Sequence, residues 1–148
     1  HTLAGRHALT CVVTLGAAGA LAIGPDVADR FAALAVEAVD TTGLAPLGAK
    51  WLETNPYSGE QLAVEIGDGA YNQNCARCHG LEAKSGGIAP DLRALEPGSD
   101  GDEWFLYRVR EGATRNGIPY MPRFEDTLSQ EAMWAIRAYL ETVYDPDI

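Results

Sequence analysis

Three residues able to do chemistry stand together in one pentapeptide, Cys75-Ala76-Arg77-Cys78-His79. The C-x-x-C-H spacing is that of covalent haem attachment. Two thiols a turn apart can add across the two vinyl groups on one edge of a porphyrin, and the adjacent imidazole reaches the iron from one face. The flat apolar group would then serve as the core around which the chain packs. Other readings of the same residues compete. Zinc takes about four ligands, and beyond residue 22 the chain holds no further Cys or His to complete a set. A thioredoxin-like C-x-x-C belongs in a βαβ pattern, which is absent. A disulfide between Cys75 and Cys78 would leave long loops without a core.

An iron held by His79 needs a second axial donor, and the neutral soft side chains remaining are Met121 and Met133. Met133 falls on the apolar stripe of the last helical pattern, where packing alone accounts for it. Met121 lies in the segment GIPYMPRF between Pro119 and Pro122, which fix backbone φ and give the side chain a preset direction. Met121 is the favoured ligand and Met133 the alternative; Met ligation raises a haem's potential. On the other face, a backbone carbonyl of the Ile88-Ala89-Pro90 turn is expected to accept the His79 Nδ1–H bond and fix its tautomer.

These residues need elements to position them. Gln61 to Asn74 places Leu62, Ile66 and Ala70, with Ala63 and Tyr71 alongside, on one face of a helix. Asp102 to Glu111 opens on acids, carries Trp104, Phe105 and Val109, and stops at Gly112. Gln130 to Tyr144 has Ser129 as N-cap, Leu128 and Met133 as a hydrophobic staple, and an apolar stripe of Met133, Ile136, Leu140 and Val143. No segment shows sustained strand alternation. The expectation is an all-α domain of three to five helices and long loops wrapped around one covalent haem c. Loops as long as residues 80 to 101 and 112 to 128 call for something other than chain to fill the core.

The 148 residues are 47% hydrophobic and 22% charged, the composition of one globular domain. Residues 1 to 22 are a basic start followed by an apolar run ending in Ala20-Leu21-Ala22, and read as an export signal cleaved after Ala22. That run is too short and too rich in Gly and Ala for a membrane anchor, so no stable insertion is expected after cleavage. Residues 23 to 60 read as an N-terminal extension lying on the surface, with a brief helix over Val27 to Val39, and residues 61 to 146 as the haem domain. Eleven basic residues oppose 21 acidic ones, a formal net charge of −10. Removing the signal takes away Arg6 and leaves −11. Such a surface repels nucleic acid.

The stretch AVEIGDGAYNQNCARCHGLEAKSGGIAPDLR, then YMPRF, then SQEAMWAIRAYLE, resembles the class I c-type cytochromes of the periplasm that accept electrons from pyrroloquinoline quinone (PQQ) alcohol dehydrogenases. The likeness is to the cytochrome c partner of quinoprotein ethanol dehydrogenases, and more distantly to cytochrome cL of methanol oxidation. It runs over about residues 40 to 143. It implies thioethers at Cys75 and Cys78, axial His79 and Met121, and places Tyr71 and Trp134 at the crossing of the first and last helices. It also implies a PQQ-dependent alcohol dehydrogenase as electron donor, and a terminal oxidase or another cytochrome as acceptor.

Other side chains have two readings each. Trp104, Tyr107 and Tyr120 either line the haem and its propionates or pack in the core. Arg115 and Arg123 either pair with propionates or stay solvated. Lys84 is a candidate docking charge. The primary reading is an electron carrier with no substrate chemistry of its own. Its rivals are a carrier of another respiratory chain, and a haem enzyme or gas sensor, which requires an open iron site that Met121 would close.

Overall fold

The computed structural model describes residues 11–14, 20–23 and 38–148. The chain divides into two compact units, His1–Ala38 and Val39–Ile148. In the first, β1 (Cys11–Thr14) and β2 (Ala20–Ile23) pair antiparallel, Cys11 facing Ile23 and Thr14 facing Ala20. Most of the remaining residues of the expected signal, and all but the last two of the helix expected over Val27 to Val39, lie outside the described residues.

The second unit is mostly helical. Its helices are α1 (Gln61–Asn74), α2 (Ala76–His79), α3 (Ser99–Glu111) and α4 (Gln130–Thr142). Packing of α1 on α4 makes the centre. Contrary to the expected face, α1 buries Ala63, Gly67, Ala70 and Tyr71, while Leu62 is exposed and Ile66 only partly buried. The cause is a close backbone approach: a Cβ on Gly67 would lie 1.9 Å from the carbonyl oxygen of Ala135. Small residues therefore face α4 and the larger ones flank the contact. Tyr71 and Tyr139 meet at this crossing with ring centroids 5.3 Å apart, whereas the aromatic partner of Trp134 is Phe105 of α3, at 6.2 Å.

Ser129 caps α4 as expected, its hydroxyl accepting from the Ala132 N–H at 3.1 Å, and Leu128 and Met133 are both buried. The helix stops two residues before Tyr144. α3 begins three residues ahead of Asp102, which is buried in an ion pair and does not open the helix. Arg137, fully buried on α4, donates from Nε to Asp102 at 2.7 Å and from Nη2 to the Glu96 carbonyl at 2.6 Å. The other Asp102 oxygen accepts from the Asn55 backbone N–H at 2.8 Å.

That last contact belongs to a clasp which moves the expected domain boundary. The structure breaks after Ala38 and not at residue 60, because residues 39–60 are bound into the helical unit. Leu44 and Tyr57 join its core. Polar side chains of α4 satisfy the backbone of this arm: Glu131 accepts from the Leu47 N–H at 2.8 Å, and Gln130 accepts from Leu52 at 2.7 Å while donating to the Lys50 carbonyl at 3.1 Å. Glu141 takes the Asn55 amide at 2.9 Å and the Ser58 hydroxyl at 2.6 Å.

A small hairpin occupies part of the loop between α3 and α4. β3 (Ala113–Arg115) pairs antiparallel with β4 (Ile118–Met121), Arg115 facing Ile118 across Asn116 and Gly117, both with positive φ (53° and 76°). An Asn-Gly pair in that conformation is the turn whose twist suits a two-residue hairpin.

Candidate haem site

The pentapeptide folds as a continuation of α1. Cys75 donates its backbone N–H to Tyr71 at 2.8 Å, and α2 then carries the next four residues to His79. Cys75 is partly buried and Cys78 exposed, and both are free thiols, which sets aside the disulfide reading. Burial, and next to it the neighbouring Cys78, pushes the Cys75 thiol up to about 12. Gly80, at φ 83°, then turns the chain so tightly that a Cβ would lie 1.9 Å from the Lys84 carbonyl oxygen. The buried Tyr71 hydroxyl fixes this turn by donating to the Gly80 carbonyl at 2.8 Å.

His79 is buried, and its Nδ1 lies 2.9 Å from the Pro90 carbonyl oxygen. A carbonyl can only accept, so Nδ1 carries the proton and the Nε2 lone pair is free for a metal. The acceptor is itself held. Asp91 accepts from the Ser85 N–H at 3.1 Å and from the Arg93 side chain at 3.0 and 2.9 Å. Those Arg93 contacts first of all, then the backbone donors, hold the Asp91 carboxyl at about 2.

Met121 ends β4, partly buried and packed against the core. Its backbone passes beside Gly112, whose φ is 69° and where a Cβ would lie 2.5 Å from the Met121 carbonyl oxygen. Met133 is fully buried within α4. Trp104, Tyr107 and Tyr120 are about half exposed or more, so they are not core residues. Trp104 and Tyr107 stack at 6.3 Å, and the Arg108 guanidinium lies 4.3 Å from the Trp104 ring centre. Arg115 is exposed, and Arg123 pairs with Glu125 at 3.0 Å and with the Arg110 carbonyl at 3.1 Å. Lys84 pairs with Glu82 beside it in the chain.

From Pro90 to Trp104 runs a cavity of about 420 Å³, with Leu92, Ala94 and Leu95 as apolar lining and Asp91, Glu96 and Asp100 as its acidic members. Two thiols a turn apart, an imidazole of fixed tautomer and a thioether sulfur are a donor set that fits haem. Zinc has no such basis, since no group of three or more His, Cys, Asp or Glu could hold a metal ion among the described residues. Sequence reasoning missed the hairpin that ends in Met121, although Asn116-Gly117 signals it, and missed the buried Asp102–Arg137 pair.

Residues 62–140 match the family model described as cytochrome C oxidase, cbb3-type, subunit III. The chain is 65% identical over 112 residues to cytochrome c550 of Pseudomonas aeruginosa, covering 73% of this chain and 77% of that protein. It is 36% identical over 83 residues to the quinohemoprotein alcohol dehydrogenase ADH-IIG of Pseudomonas putida, 56% of this chain but only 11% of that protein. It is also 32% identical over 124 residues to the cbb3-type cytochrome c oxidase subunit FixP of Rhizobium meliloti, 74% of this chain and 39% of that protein. No solved structure matches. The chain thus belongs to the class I c-type cytochromes, an electron carrier with covalently bound haem c and not an enzyme.

Proposed function

We propose that this cytochrome is a periplasmic carrier that takes single electrons from a PQQ-dependent alcohol dehydrogenase and delivers them to a terminal oxidase or another cytochrome. In this reading residues 1–22 export the chain, Cys75 and Cys78 form the thioethers, and His79 and Met121 are the axial ligands. The bound haem supplies one-electron storage at its iron. The chain's part is to hold that group still: the junction of α1 and α2 fixes both attachment points, and Pro90 fixes the His79 ring. The hairpin sets the position of Met121, and the α1–α4 crossing anchors the whole.

The observation that carries the site is the His79–Pro90 contact, which leaves Nε2 ready for iron. The donor rests on the likeness to a quinohemoprotein alcohol dehydrogenase, in which a stretch like this chain forms part of a much longer protein. Matured in the periplasm, the protein should keep haem through denaturing electrophoresis, and Cys75→Ala with Cys78→Ala should lose it. Stopped-flow mixing with an alcohol-reduced dehydrogenase of the same organism should reduce the carrier faster than an unrelated quinoprotein does. Equal rates would refute the donor and leave a carrier for another chain. The likeness to an oxidase subunit favours that second reading, and reduced carrier oxidised by a cbb3-type oxidase in preference to other oxidases would support it.

A further inference from the structure

The arm over residues 39–60 is tied to the segment that follows Met121 through one guanidinium. Arg110, in the last turn of α3, lies with its Cζ 4.5 Å from the centre of the Trp51 ring. From its edge it donates to one Glu125 oxygen, through Nη2 at 2.6 Å and Nε at 3.2 Å. The other Glu125 oxygen accepts from Arg123 at 3.0 Å, and Arg123 in turn donates from Nε to the Arg110 carbonyl at 3.1 Å. The two backbones are also joined directly, the Phe124 N–H donating to the Val109 carbonyl at 2.9 Å. Residues 121–125 are thus fastened to the end of α3.

The arm's side of this contact is seated as firmly. Gln130, buried on α4, accepts from the Leu52 N–H at 2.7 Å and donates to the Lys50 carbonyl at 3.1 Å, so one side chain holds both neighbours of Trp51. Trp51 itself is partly buried and packed against the core. The middle member must be an arginine, because a planar guanidinium stacks by its face and forks to a carboxylate by its edge at the same time, and an ammonium does not.

We propose that residues 39–60 brace the sixth iron ligand: Trp51 and Glu125 clamp Arg110 between them, and the clamp keeps the segment bearing Met121 closed on the iron. With Met121 as axial donor, as proposed above, Trp51 becomes a positioning residue for a ligand far along the chain. Each contact is weak, since Arg110 and Glu125 are both partly exposed. Weak contacts suffice, because release of one segment is a local opening that lies well below global unfolding in free energy and responds to a small loss. A chain without the brace would still fold and keep haem through its thioethers and His79, but its iron would be open more often to small ligands.

Carbon monoxide is the probe, because it takes the place of the Met121 sulfur on ferrous iron when the segment opens, with no electron exchanged. The ferric holoprotein is first checked for the sulfur-to-iron near-infrared band, and Met121→Ala for its loss. A band that is absent, or that survives in Met121→Ala, would refute the axial reading and the brace with it. With the band assigned to Met121, Trp51→Leu and Glu125→Ala should each speed carbon monoxide binding about fivefold. Hydrogen exchange at the Phe124 amide should quicken by the same factor, and Trp51→Phe, which keeps an aromatic face, should restore most of the wild-type rate. The double variant should stay near fivefold because both changes break one clamp, whereas independent sites would multiply to about twenty-fivefold. Val143→Ala, which thins the core at the other end of α4 from Gln130, should lower the denaturation midpoint and leave the carbon monoxide rate unaltered. Unchanged rates in the single variants, multiplied effects in the double variant, or equal acceleration by Val143→Ala would overturn the brace while Met121 stays the ligand.

Discussion

His79 and Pro90, eleven residues apart, are joined by a 2.9 Å contact between imidazole Nδ1 and backbone carbonyl. A proline has no N–H of its own to spend, and its fixed φ limits how its carbonyl can swing. The acceptor is further pinned by Asp91, the next residue, through Ser85 and Arg93. Orientation of the ring is thus built from local chain geometry.

That support should be acid-sensitive. The Asp91 carboxyl is lowered from 3.8 to about 2, chiefly by its hydrogen bonds to Arg93. A depressed carboxyl contributes stability above its unfolded value and loses it as pH falls through the folded one. Denaturant midpoints measured between about pH 4 and pH 2 should therefore fall more steeply for the wild type than for Asp91→Asn. Parallel curves would show that Asp91 does not anchor the turn.

Met121→Ala should abolish the sulfur-to-iron band and admit carbon monoxide readily, while the wild type binds it poorly. Met133→Leu should keep the band and cost less than about 1.5 kcal/mol, as volume-conserving core exchanges do. The opposite pattern would move the ligand to α4.

Gly67→Ala should destabilise the protein by about 3 kcal/mol, the upper end for overpacking a core. The added carbon would meet the Ala135 carbonyl, which is backbone and cannot rotate aside. Gly69→Ala on the same helix, with open space around it, should be neutral or stabilising. Equal unfolding midpoints for the two variants would contradict the close crossing.

Asp102→Ala should cost about 3 to 5 kcal/mol, because it leaves the Arg137 guanidinium buried and unpaired. Nη1 of that guanidinium already lacks a partner, so no reserve acceptor stands nearby. Glu125→Ala, which breaks surface pairs with Arg110 and Arg123, should cost below about 1 kcal/mol per pair. Chemical denaturation of both variants with haem bound decides the point.

Much of this was legible in the residues, and what was not has a physical reason. The span of α1 and the Ser129 cap follow from local pattern, and the Pro90 acceptor from the short reach of the turn after His79. The buried face of α1 does not, because periodicity ranks Leu62 and Ile66 above Gly67 when backbone contact favours the reverse. Asp102 looked like a helix-opening acid because sequence shows its neighbours and not Arg137, thirty-five residues on. The hairpin was hidden by its length, since three and four residues show no sustained alternation.

The arm over residues 39–60 has an implication for the order in which the chain assembles. Its backbone donors are answered by α4 side chains 78 and 84 residues away, at Leu52 with Gln130 and at Leu47 with Glu131. Contacts so distant in sequence close large loops and are slow to form. Because α4 follows the arm, α1 and α3 in the chain, the arm has no seat until the helices after it have formed, and until then it is an unpaired strand of backbone. Its docking is thus a late checkpoint: a chain shortened before Gln130 would leave the arm open to proteases even where the haem pentapeptide is intact.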